Sequence, residues 1–62
     1  MIDIEAFTKF DNAFIIHMFH VTEYDELKSE LHEDIIKVIM LKVGISSYAD
    51  IMLWIELNME GL

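Results

Sequence analysis

Residues 22–44 read TEYDELKSELHEDIIKVIMLKVG, and the folding of this stretch decides the architecture of the whole chain. Thr22 offers a hydroxyl cap, and Asp25 and Glu26 place negative charge where a helix dipole favours it. Tyr24, Leu27, Leu31, Ile35 and Val38 recur at helical spacing and make one stripe. Lys37 and Lys42 come late, and Gly44 suits the left-handed position just past a helix end. The spacing predicts a helix over 22–43 whose two halves differ. Up to Asp34 it is acidic and amphipathic. From Ile35 to Val43 it is apolar nearly all round, with Ile36, Ile39, Met40 and Val43 on the far side of the stripe. That half should be buried on more than one side.

Before this stretch, residues 3–21 read as a second helix. Asp3 can cap it, and Ile2 and Phe7 are spaced for a hydrophobic staple. Ile4, Phe7, Phe14, Ile15, Met18 and Val21 share one face, with Phe10 at its edge. Glu5, Lys9, Asn12 and His20 fall opposite. Two residues offend the pattern: Asp11 lands amid the apolar face, and Ile16 on the polar one. A helix break at Asp11-Asn12, with the acid recapping the chain, would explain the first. After Gly44, Ser47 with Asp50 resembles a capping box, and residues 47–60 read as a third helix that Gly61 can end. Tyr48, Ile51, Met52, Ile55 and Met59 form one face; Leu53, Trp54 and Leu57 form another, roughly opposite. Both end segments also carry a strand pattern. Ala13–Val21 is rich in β-branched and aromatic residues, and Leu53, Ile55, Leu57 and Met59 alternate with polar or bulky neighbours. The expected fold is all-α, a three-helix unit forming a single domain over 1–62. The alternative is an α+β arrangement, β-β-α-β.

Composition bounds the function. The chain has 62 residues, 55% of them hydrophobic, and a formal net charge of −8. A chain this short exposes much of its surface however it folds. Surplus apolar faces, Ile36, Met40 and Val43 on one helix and Leu53, Trp54 and Leu57 on another, are therefore expected at a partner or, more simply, at a second copy in a homodimer. Cysteine is absent, which excludes disulfides and zinc-thiolate sites. Twelve acids face four lysines and no arginine. Direct binding to nucleic-acid phosphate or to an anionic membrane is accordingly not expected. No run reaches the roughly 18 uninterrupted apolar residues of a membrane span. The opening Met-Ile-Asp lacks the basic residues of a signal peptide, so the expected location is the cytoplasm, of a cell or of an infected host.

No motif announces a reaction. His17 and His20 lie three apart with Glu23 and Tyr24 beyond, a spacing that can share a metal, but without a His-Glu-x-x-His pattern. Carboxylate pairs such as Asp25/Glu26 and Glu56/Glu60 lack a cleft to give them distinct environments. We expect no enzyme, no cofactor and no metal. Met40-Leu41-Lys42-Val43-Gly44-Ile45-Ser46-Ser47, followed by Ile51 and Trp54, has the cadence of a helix-turn-helix. The second helix, however, carries Asp50, Glu56 and Glu60 and no base-reading Arg or Lys. Gly44, Ser47, Tyr48, Ile51, Leu53 and Leu57 also resemble the attachment-site helix of acyl carrier proteins over less than a third of the chain. Ser46 stands where that family has Asp, and its long preceding loop is missing, so no carrier role is carried over.

The remaining feature is the acid run Glu23, Asp25, Glu26, Glu30, Glu33 and Asp34, offset by Lys28 alone. On one helix it makes a ridge of carboxylates over three turns, able to imitate a nucleic-acid backbone and occupy a basic groove. The expected function is a small acidic protein-binding regulator or inhibitor, covering a basic nucleic-acid-binding surface of its target, a habit that suits viral or mobile-element regulators. The alternative is a structural oligomerisation or assembly subunit. Trp54, expected at the surface, is the candidate hot spot for either.

Overall fold

In the computed structural model, which describes residues 2–60, helix α1 spans Ile4–Phe7 and α2 Asn12–Glu23. A 3₁₀ turn follows over Glu26–Lys28, then α3 over Ser29–Val43 and α4 over Tyr48–Glu60. The fold is all-α. Among the described residues there is no strand, so the β-β-α-β alternative is overturned. Among the described residues the α-helices number four, not three, because the expected first helix is broken.

The break has a local cause. Asp3 caps α1 by accepting from the Ala6 N–H at 3.2 Å, as its position predicts. After one turn Thr8 donates its hydroxyl to the Glu5 carbonyl at 2.6 Å. Asp11 then takes an extended backbone and accepts from the Phe14 N–H at 2.8 Å, capping α2. The acid that looked misplaced on an apolar face is a helix start. The new start also turns α2 about its axis relative to a continuous helix. Ile15, Ile16, Phe19 and Thr22 now face inward. Ile16, expected on the polar side, is buried, while Phe14 and Val21, expected inside, are partly exposed. Phe7, Phe10 and Phe14 gather over the break, with ring centroids 4.9 Å apart for Phe7–Phe10 and for Phe10–Phe14. The Lys42 ammonium, from the end of α3, donates to the Phe10 carbonyl there.

The stretch 22–43 is not one helix. Thr22 is no cap: it sits in the last turn of α2, buried, with its hydroxyl directed at the Met18 carbonyl at 2.8 Å. Its oxygen can then accept from His32 Nδ1, 2.9 Å away. Asp25 instead accepts from the Leu27 N–H at 3.0 Å and starts the 3₁₀ turn. This is the local side-chain bonding by which Asp competes with a helix interior. The chain therefore reverses at Tyr24-Asp25, and α3 runs back along α2, from His32 beside Thr22 to Lys42 beside Phe10.

The second half of the stretch behaves as its composition predicts. α3 contacts α1, α2 and α4, and Ile35, Val38 and Ile39 are fully buried. They form the core with Ile15, Ile16, Phe19, Ile51 and Ile55. Gly44 ends α3 at φ 78°, and its N–H meets the Met40 carbonyl at 2.9 Å. Ser47 caps α4 by accepting from the Asp50 N–H at 3.1 Å. The expected stop at Gly61 lies outside the described residues. Near the end of α4, Asn58 accepts from Asn12 at 3.3 Å, tying α4 to the start of α2.

Among the described residues no single helix is long and apolar enough to cross a membrane. The segments 26–43 and 48–59 pass that test only together, and they are bent by 76° where they join. The accessible surface is 4316 Å². A folded monomer of this mass is expected to show about 4,200 Å². One copy thus hides as much as an ordinary small fold does.

Candidate partner-binding surface

The bend at Tyr24-Asp25 redistributes the acid run. Glu23 ends α2, Asp25 and Glu26 belong to the 3₁₀ turn, and Glu30 and Glu33 stand on the first turns of α3. Asp34 is only 5% exposed. The expected straight ridge of six carboxylates is therefore corrected to a bent acidic surface of five, with the sixth withdrawn beneath it. A single helix would have carried Asp34 on its solvent side; packing of α3 against its neighbours turns that side inward.

The turn divides these acids between two open hollows. One, of about 310 Å³, is lined by Glu23, Asp25, Glu26 and Glu33 together with Tyr24 and His32. The other, of about 290 Å³, holds Glu30 and Asp34, with Ile2, Leu27, Leu31 and Lys28 around them. Two apolar side chains stand in solvent at this surface: Tyr24 is 87% exposed and Leu27 97%. Both were expected inside, as part of the buried stripe. They are outside because the stripe assumed a helix from Thr22, whereas Tyr24 caps the end of α2 and Leu27 lies in the 3₁₀ turn that follows. Cation is scarce here. Lys28 lies 3.9 Å from Asp25, and the other lysines stand elsewhere: Lys9 and Lys42 near the α1–α2 break, Lys37 further along α3.

The surface is anchored by one polar contact that sequence reading missed. Thr22 and His32 join the end of α2 to the second turn of α3, and the His32 ring lies 4.8 Å from that of Phe19. No local pattern links a Thr and a His ten residues apart across a turn. His17 and His20 are exposed, and His20 Nδ1 lies 3.7 Å from a Glu23 oxygen. Among the described residues no three His, Asp or Glu side chains come together as a metal site would need.

The proposed apolar faces divide in two. Ile36, Met40, Val43 and Trp54 are half-buried and pack against the core, so Trp54 is less open than expected. Leu53 and Leu57 remain open, 54% and 61% exposed, on the outer side of α4. Met59 and, beside the helix break, Phe10 are also substantially exposed. No protein-family model, no curated protein and no solved structure matches this chain.

Proposed function

We propose that this chain is a small, acidic, non-enzymatic regulator that acts by binding another protein through the α2–α3 junction. One observation carries the reading: Glu23, Asp25, Glu26, Glu30 and Glu33 flank Tyr24 and Leu27, the two most exposed large apolar side chains among the described residues, with Lys28 as the nearby cation. Carboxylates steer and select a basic partner, while a protruding aromatic and a leucine supply the desolvated contact that charge alone does not. The partner is a protein with a basic surface of the kind that holds nucleic acid. By occupying that surface the chain inhibits or modulates its target. The bent arrangement places charge on two flanks of the turn, which fits a groove better than a flat face.

The test is binding to a panel of basic nucleic-acid-binding domains across ionic strength. Affinity should fall steeply between about 50 mM and about 0.5 M salt, and duplex DNA should compete. Glu26→Lys with Glu30→Lys should abolish binding and leave the helical content unchanged. Affinity that stays flat with salt, or a complex that DNA leaves intact, would remove the mimic.

A second reading has its own support in Leu53 and Leu57, one turn apart on the open side of α4. It makes the chain an assembly subunit, a homodimer in its simplest form. Light scattering over a concentration series should then report a dimer that Leu53→Lys with Leu57→Lys disperses, while reversal of Glu30 and Glu33 does not. A monomer at every concentration would eliminate it.

A further inference from the structure

Resting on the partner reading above, we infer that the hollow beneath the 3₁₀ turn is a socket for a lysine side chain of the basic partner. Its walls are Ile2, Leu27 and Leu31, and Glu30 and Asp34 are its acids. Glu30 and Asp34 are one helical turn apart on α3, so both carboxylates border the same small space.

Asp34 distinguishes this hollow from an ordinary acidic patch. Its residue is 95% withdrawn from solvent, being 5% exposed, yet among the described residues its carboxylate takes part in no hydrogen bond or ion pair. Every fully sealed side-chain oxygen or nitrogen among the described residues has a hydrogen-bond partner. Asp34 itself lines the hollow, so its carboxylate borders that space. The lysine at the rim, Lys28, turns to Asp25 instead, 3.9 Å away. Taking a carboxylate out of water is costly unless a cation or donors meet it. A cation brought by a partner would meet it.

The shape of the site selects among cations. Leucine and isoleucine walls accept a methylene stem, and long charged side chains bury such stems while the head finds its charge. A compact ammonium with three donors can serve two carboxylates on successive turns, whereas a guanidinium is best matched by one carboxylate taken edge-on. Lysine fits both conditions.

The experiment is a nuclear magnetic resonance titration of the full chain with Nα-acetyl-lysine methylamide at low salt. Nα-acetyl-norleucine methylamide, which keeps the stem and loses the charge, is the control. The socket predicts saturable shifts centred on Ile2, Leu27, Leu31 and Asp34, with contacts from the lysine methylenes to the three apolar side chains. Norleucine and Asp34→Asn should each weaken binding by about tenfold or more, the usual cost of losing one charged partner. Leu27→Ala, at a residue too exposed to matter for folding, should weaken it about threefold. Equal binding of lysine and norleucine, shifts spread over all the acids, or an Asp34→Asn chain that folds and binds like the parent would overturn the socket. If Asp34→Asn fails to fold, Leu27→Ala and the norleucine control decide it. A parallel titration with decalysine separates the two ideas. Salt-sensitive decalysine binding that Asp34→Asn leaves unchanged overturns the socket and leaves the basic-partner reading standing. A chain that ignores decalysine overturns both.

Discussion

Residues 22–34 and 35–43 look like two halves of one helix, and they fold under different rules. Ile35, Val38 and Ile39 are fully buried and touch helices on several sides. Here any rotation or bend would expose large aliphatic side chains, each worth about 1.5–3 kcal/mol when buried. Tertiary packing and local preference agree, so the helix continues. The upstream half has no such constraint. Its polar side chains lose little in a turn, and Asp25 satisfies backbone donors locally. Once Thr22 is claimed by the core, the chain must reverse within a few residues, and it does so at the acids. A region dictated by packing lies beside one free to be shaped for something else.

The contrast is sharpest when one residue from each region is shortened. Ile39→Ala should cost about 2–5 kcal/mol, the range for truncating a well-packed core aliphatic. That would lower the melting midpoint by well over about 10 °C in a domain this small. Leu27→Ala, on the exposed turn, should change stability by less than about 0.5 kcal/mol. Thermal or denaturant unfolding of both variants gives the comparison directly. Similar losses for the two would mean that Leu27 is covered in solution, by a second copy or by rearrangement of the turn.

The junction itself breaks at Thr22→Val. This change keeps the shape but removes the oxygen that meets His32. A half-buried imidazole nitrogen then lacks its partner, at a cost of about 1–2 kcal/mol. Hydrogen exchange localises the effect. Amides over 29–33 should lose protection first, while those of 38–42 follow global unfolding. Uniform loss over α3 would mean that the two halves are one cooperative unit after all.

Smaller effects test the two boundaries. Gly44→Ala meets no steric neighbour, and its penalty is the left-handed backbone alone, about 1 kcal/mol. Asp11→Ala removes the α2 cap and should cost a similar amount, about 1 kcal/mol. If Asp11→Ala instead left stability unchanged and raised helical content, the break between α1 and α2 would belong to that one cap rather than to the packing of Phe7, Phe10 and Phe14.

Much of the fold was legible because it is written in local chemistry. Asp3, Ser47 and Gly44 do what their residue types suit them for, and the all-round apolar run after Asp34 marks the central helix correctly. Asp11 was legible too, as an acid that made sense only at a helix start. Phe19 was not. It is fully buried at the heart of the core, yet the expected face of the first helix omitted it. The apolar face was read through one continuous helix, and a restart at Asp11 turns every later residue about the axis, which is why Ile16 and Val21 also changed sides. The same applies to Tyr24 and Leu27, which helical spacing placed in a stripe and the chain reversal after α2 placed in solvent.

Of the candidate surface, the residue types were legible and the arrangement was not. That the chain is acidic, apolar, free of cysteine and rich in helix starts and stops follows from the sequence alone, because composition and capping act between neighbours. Where the acids stand, which of them is withdrawn, and which leucines are open were decided only by tertiary structure. Those outcomes depend on how α2 and α3 share the burial of Phe19, Ile35, Val38 and Ile39. That sharing is a contest between distant segments for one small core, and no window of neighbouring residues contains both contestants.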